Sequence, residues 1–305
     1  MADTADTLVS VIREVTPGVT PTTTPAFKYL DFSDFNLNLD PANQITSDIV
    51  KANRAASDTV MTGYSVSGSA SGELRRDTTL DWLIESGIGG AFASKVAKGG
   101  STNFYQTFEQ QMVTGAGSKA YFAYSGCQVS KLGFAVDASA KATWSADIVG
   151  MAQTQRTAIM SGATYAAATQ GPLLSGAGNG SITIAGLTAT FYSLDLQIVT
   201  NRSPKFALIS QNAFGISTGG NRQITLTLQL YRDDISPEAV FLPNTPISVS
   251  TMIGSGAGNA LTFSMARMFA KPPKRATNGD SEMVEVELVA AHDATAGTDI
   301  TITQS

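Results

Sequence analysis

The second half of this 305-residue chain repeats the order of the first, and an internal repeat constrains a fold more than any local motif does. In the first half Phe35, Leu37 and Leu39 alternate with Asn36 and Asn38; in the second, Tyr192, Leu194, Leu196 and Ile198 alternate with Ser193, Asp195 and Gln197. A polar, unpatterned stretch follows each run, residues 41–63 and 200–221. Then comes a second alternating run. Tyr64, Val66, Gly68, Ala70, Gly72 and Leu74 oppose Ser65, Ser67, Ser69, Ser71 and Glu73; Ile224, Leu226, Leu228 and Leu230 oppose Thr225, Thr227 and Gln229. These runs end alike, in Leu74-Arg75-Arg76-Asp77 and Leu230-Tyr231-Arg232-Asp233, and each leads into a short helix. The first helix has Asp77 as cap, a Leu80, Leu83, Ile84 stripe and Gly87 as stop; the second opens with Ser236 as cap and Pro237 at its first position. Glycine-rich turns at 115–117 and 254–259 come next. Each half closes on a strand, with Ala146 and Ile148 against Ser145 and Asp147, and Val284, Val286 and Leu288 against Glu285 and Glu287.

Alternation of this kind gives strands with one face packed and one face wet. The chain therefore reads as mainly β, in two tandem modules of one plan: strand, long loop, strand, helix, turn, strand pair. Gly, Ser and Asn crowd residues 161–181, which read as a linker between module 28–160 and module 182–305. Residues 1–27 carry Pro17, Pro21 and Pro25, which forbid a helix there and give an extended N-terminal arm.

Composition narrows the functions open to such a chain. With 43% hydrophobic and 15% charged residues it is too apolar for disorder, and no apolar run reaches the roughly 20 residues of a membrane helix. A net charge of −5 makes it a poor candidate for gripping nucleic acid, which needs Lys and Arg against phosphate. One cysteine, Cys127, excludes an internal disulfide and reads as a small core residue. The single histidine, His292, precedes Asp293 in a turn with no nucleophile motif beside it, and reads as a surface residue. Gly254 to Asn259 lacks the Lys-Ser/Thr of a phosphate loop. Glu285 and Glu287 share one strand face, whereas glycosidase carboxylates flank a cleft. Lys271 to Arg275, with two prolines, reads as an exposed basic loop tip that could meet an acidic patch on a neighbour. No catalytic, metal or cofactor site is expected.

Several short stretches resemble tail tube proteins of long, non-contractile-tailed (siphovirus-type) bacteriophages. They are Arg13-Glu14-Val15-Thr16-Pro17-Gly18-Val19-Thr20-Pro21, Pro25 to Leu30, Ile45-Thr46-Ser47-Asp48 with Lys51 and Arg54, Ser65 to Gly68, Phe122 to Gly126 and Ser161 to Tyr165. The resemblance covers nearly the whole chain in order, and departs from the family in the Ala- and Ser-rich strands and the Lys271 to Arg275 insertion. It implies a module of two packed β-sheets with a flanking helix, whose inner sheets join side by side into a barrel. Three two-module chains would make a pseudo-sixfold ring, and rings would stack into a tube. The implied partners are the chain itself, tape measure and tail terminator or tip proteins, and double-stranded DNA in passage. The implied location is the virion tail, assembled in the host bacterial cytoplasm.

On that reading Ser67, Ser69, Ser71, Glu73, Asp147, Asp195, Thr225, Thr227, Glu285 and Glu287 would line a polar, mostly anionic lumen that repels phosphate. The same side chains would equally suit an outer face in bulk solvent. The two long loops would stack rings, through Asn43, Asp48, Lys51, Arg54 and Asp58 in one and Arg202, Lys205 and Asn212 in the other. Two other readings share the β-rich pattern: a decoration or tail-terminator protein of a virion, and a carbohydrate-binding β-sandwich module. The first does not need a stacking loop in both halves. The second wants exposed aromatic platforms, whereas Trp82 falls in a helix and Trp144 on an apolar strand face.

Overall fold

The computed structural model describes residues 6–114, 117–169, 171–176, 180–254 and 258–305, with residue 42 described by its backbone alone. In chain order the strands are β1 (Leu8–Arg13), β2 (Ala26–Tyr29), β3 (Asp34–Thr46), β4 (Thr59–Glu73), β5 (Val96–Lys98), β6 (Gln106–Val113), β7 (Lys119–Asp137), β8 (Thr143–Gly150), β9 (Ala152–Arg156) and β10 (Thr164–Ala166). They continue as β11 (Gly180–Ile184), β12 (Phe191–Val199), β13 (Arg202–Lys205), β14 (Gly215–Thr218), β15 (Gln223–Tyr231), β16 (Ile247–Ile253), β17 (Leu261–Ala270), β18 (Lys274–Asn278), β19 (Ser281–Ala290) and β20 (Thr301–Gln304). Helix α1 (Thr78–Ile88) follows β4, and α2 (Ser236–Phe241) follows β15.

The repeat is written in the strand pairings. In the first half β3 pairs with β4, β4 with β8, β7 with β8, β6 with β7, β1 with β6 and β7 with β9. In the second, β12 pairs with β15, β15 with β19, β17 with β19, β16 with β17, β11 with β16 and β17 with β20. Each half is thus a sandwich of an inner and an outer sheet, and one long hairpin strand, β7 or β17, crosses from one to the other. This topology also corrects the reading of residues 1–27 as an arm: Leu8–Arg13 is a sheet strand with Val9, Val11 and Ile12 buried, and occupies in the first half the place of β11 in the second. The segment read as a linker contributes β10, which pairs parallel with β2, and buries Leu174.

One pairing fuses the halves. β7 lies antiparallel to β12 from Lys131↔Val199 to Asp137↔Ser193, so the inner sheets continue as β3-β4-β8-β7-β12-β15-β19-β18. The apolar underside of this sheet carries Leu37, Val66, Ala70, Trp144, Ala146, Ile148, Leu132, Phe134, Leu194, Leu196, Leu226, Leu228, Val284 and Val286, all buried. Phe134 from the first half meets Phe263 from the second with ring centroids 4.9 Å apart, so the core runs through the seam. β5 of the first half also pairs with β20 of the second.

Helix α1 packs over the same seam. Asp77 is its cap, accepting from Thr79 N at 3.2 Å as expected. The stop differs from expectation: α1 runs through Gly87 to Ile88, and Gly89 ends it in the left-handed region at φ 68°. Gly87 instead lies against the sheet, where an added Cβ would meet Leu132 Cδ2 at 3.2 Å. In α2 the cap position is Ile235, and Asp234 accepts from Ser236 N at 2.7 Å and from its hydroxyl at 2.8 Å. Among the described residues no helix is long and apolar enough to cross a membrane. The turn residues 115–116 and 255–257, read as mirror images in sequence, lie outside the described residues.

Candidate functional site: a polar sheet face and two projecting hairpins

The register of the inner sheet brings the predicted polar side chains onto one face. One row across the strands reads Asn36, Ser69, Asp147, Lys131 and Val199. The next reads Asp34, Ser71, Ser145, Gly133, Gln197, Thr225 and Val289, and a third Glu73, Thr143, Ala135, Asp195, Thr227 and Glu287. Ser67 lies on the same face opposite Asn38, and Glu285 opposite Gln229. Strand spacing of about 4.8 Å makes this an eight-strand band roughly 34 Å wide.

The face is less anionic than its list of acids suggests. Glu73 binds Lys141 Nζ at 2.9 Å and Arg75 at 3.0 Å, and these bonds hold its carboxyl below the usual range. Glu287 binds Lys271 Nζ at 2.5 Å. That pair refines the reading of Lys271 to Arg275 as an exposed basic loop tip: Lys271, Pro272, Lys274 and Arg275 are exposed, but the stretch is not all loop. Lys271 is neutralised within the chain, and Lys274 and Arg275 belong to strand β18. Asp147, Asp195 and Glu285 have no cation partner among the described residues; Gln197 Nε2 donates to Asp195 at 3.2 Å and Gln229 Nε2 to Glu285 at 3.4 Å. The band is therefore polar with a modest negative balance.

Both polar stretches that follow the first strand of each repeat prove to be hairpins. β3 and β4 stay paired out to Thr46↔Thr59, so the predicted loop is a long ribbon with only residues 47–58 at its tip. Asn43, Asp48, Lys51, Arg54 and Asp58 are exposed along it. β13 and β14 form the shorter hairpin, which leans on the first through Tyr64 N donating to Gln211 O and Ala213 N to Tyr64 O, both at 2.8 Å. Lys205 and Asn212 are exposed there. Arg202 is not: it is buried, donates to Ser86 O at 2.7 Å and to Thr200 Oγ1 at 3.3 Å, and burial pulls its pKa down to about 10. It anchors the hairpin to helix α1.

The exposed apolar side chains of the hairpins were missed in sequence, where polarity drew attention to the charges. Ile49 and Val50 are exposed at the first tip, and Phe206, Leu208, Ile209 and Phe214 at the second. The other sequence candidates keep their expected places: Cys127 is fully buried with its thiol pKa pushed up by burial, Trp144 is buried, and His292 is exposed just after β19.

The two ends of the inner sheet differ from its middle. Among the described residues β3 pairs only with β4, and β18 only with β19. Each leaves a free row of backbone donors and acceptors, which a sheet protein must cover or use. A family model described as phage tail tube protein matches residues 4–298. No curated protein matches the chain.

Proposed function

The chain belongs to the phage tail tube protein family, and from that premise we propose that three copies close a ring and that rings stack into a tube through which DNA leaves the particle. A virion tail component built by self-assembly, with a structural rather than enzymatic task, is what the family implies; the ring, its order and the conduit are our reading.

The observation that carries it is the seam between β7 and β12. There the last strand of one inner sheet already pairs antiparallel with the first strand of the next, inside a single chain. β3 is the equivalent first strand, and β17 with its continuation β18 holds the equivalent last place. Pairing β18 of one copy with β3 of the next would repeat the seam and hide both open edges. Three copies would supply about 24 inner strands, a backbone circle of about 37 Å before strand tilt widens it, and barrels of far fewer strands already hold an aqueous channel. The polar face would then be the lumen, lined by Ser67, Ser69, Ser71, Asp147, Asp195, Thr225, Thr227 and Glu285, with few unpaired cations to hold phosphate. We place the module boundary within 161–181. The tape measure protein inside the tube and terminator or tip proteins at its ends are the further partners on this reading, and assembly precedes release from the host cytoplasm. We place this tube in a siphovirus-type tail, the class whose tube proteins the sequence stretches resemble.

The test uses the register of the long hairpin. Ser47 N donates to Asp58 O at 2.8 Å and closes the last hydrogen-bonded pair of the ribbon, so an Asn-Gly turn can replace residues 48–57 without disturbing the ladder. Electron microscopy and native mass on the unaltered chain should show hollow tubes and rings of three copies. The shortened chain should keep the ring and lose the tube. Normal tubes from the shortened chain would refute the stacking role, and rings of six copies would refute the pseudo-sixfold order.

A further inference from the structure

At one rim of the sheet the sandwich is open between its two layers. A groove of about 240 Å³ lies there, with Val136, Phe191 and Leu194 of the inner sheet on one side and Ile182 and Ile253 of the outer sheet on the other. That exceeds the ~150 Å³ of a cavity able to take up benzene. Asp137 stands at its mouth, exposed and without a cation partner among the described residues. Elsewhere on this rim an aliphatic side chain already closes the core: Leu174 is buried, and its carbonyl accepts from Ala142 N at 2.8 Å.

Strand β12 begins at this groove, with Phe191 and Tyr192, and ends at Val199, directly before the β13–β14 hairpin. Groove and hairpin therefore sit at opposite ends of one nine-residue strand, about 30 Å apart. The hairpin tip carries Leu208 and Ile209, 95% and 108% exposed. Ile209 also holds φ 69°, a conformation that a β-branched residue adopts only under strain. Strain kept in a fully exposed side chain points to a use for it. Lys205, at the base of the same tip, has the charge opposite to Asp137.

We propose that Leu208 and Ile209 of one copy seat in the Val136, Ile182, Phe191, Leu194, Ile253 groove of a second copy in the adjoining ring, with Lys205 meeting Asp137. The contact is head-to-tail, because plug and socket are different surfaces at opposite ends of β12, and such contacts propagate where successive copies do not close on themselves. The inference rests on the tube reading and adds the receiving surface to it.

Two variants test it, on the full chain under conditions where the unaltered protein forms tubes. L208D/I209D changes only exposed side chains. It should leave ring mass unchanged and raise the protein concentration needed for tube growth by about tenfold or more. L208C/S181C places one thiol on the tip and one on exposed Ser181 beside the groove. Treated with a short bis-maleimide, its tubes should yield a ladder of linked chains longer than one ring contains, which neither single cysteine gives. Tubes that grow normally from L208D/I209D and give no ladder from L208C/S181C would overturn this contact and leave the tube reading standing. An unaltered chain that never forms rings or tubes would overturn both.

Discussion

Replacing Phe263 with Ala should destabilise both halves of the chain at once. Phe263 and Phe134 are fully buried, and their rings meet at 4.9 Å across the join between the repeats. A buried Phe→Ala change costs about 3–5 kcal/mol, through lost transfer energy and the cavity left behind. At about 2.1 cal/mol/K per residue, unfolding all 305 residues together carries an entropy near 0.64 kcal/mol/K. The melting temperature of the dissociated chain should then fall by about 5–8 °C, in one transition. F134A should shift the same transition by a similar amount, although it lies in the other repeat. Differential scanning calorimetry below the concentration of ring formation reads both. Were the repeats to melt separately, roughly half the entropy would be involved. One transition would then drop by about 10–16 °C while the other stayed in place. That pattern would refute the claim that β7–β12 pairing and the shared core make one cooperative unit.

Two further outcomes follow from a buried carboxylate and from the cation-free acids of the polar face. Burial raises the pKa of Glu14 above its usual 4.5, against the lowering effect of bonds from Gly126 N, Thr107 Oγ1 and Gly18 N, each at 2.7 Å. A raised acid favours the folded state when protonated. Wild-type stability relative to E14Q should therefore fall as pH rises from about 4.5 through the folded pKa, then stay level to neutrality; a difference that grows with pH in denaturant titrations would refute this. Replacing the cation-free acids in D147K/D195K/E285K should make assembled tubes retain duplex DNA with a steep loss at higher salt, since each neutralised phosphate contributes a slope of about −0.9. Retention no greater than wild type would mean that this face does not line the channel.

The inner sheet was legible in sequence because its strands have one wet and one dry face. Leu194, Leu196 and Ile198 against Ser193, Asp195 and Gln197 fix both the strand and its buried side, and the register then follows from matching dry faces. Polar residues of the candidate face were found by the same signal. The helix stop was misplaced for a physical reason: Gly87 and Gly89 look alike in sequence, but only the packing against Leu132 shows that Gly87 is there for close approach. Arg202 was assigned to the surface on charge. Its partner Ser86 lies 116 residues away, so nothing local announces its burial. Glu73 and Glu287 were counted among the lumen acids without their partners: Lys141 and Lys271 reach them from 68 and 16 residues off, and Arg75 joins Glu73 from two residues away.

The elements that escaped the sequence have something in common. β18, whose first two residues were read as part of a loop tip, is Lys274-Arg275-Ala276-Thr277-Asn278, with exposed Lys274 and Arg275 and no apolar period. The hairpin β13–β14, read as polar loop, carries Pro204 and Lys205 in one strand. Charge and proline are what keep a free strand edge from pairing with any chain it meets, so an edge reserved for one partner must look unlike a strand. Of the two open edges, β18 is for that reason among the least strand-like stretches, whereas β3 keeps a clear alternation of Phe35, Leu37 and Leu39 with Asn36 and Asn38. A sequence search for assembly edges in such a chain should start from short charged segments flanking the well-patterned strands, and the β18–β3 pairing is the place to apply it: a charge reversal at Lys274 and Arg275, both exposed in the single chain, should weaken ring closure while leaving the fold intact.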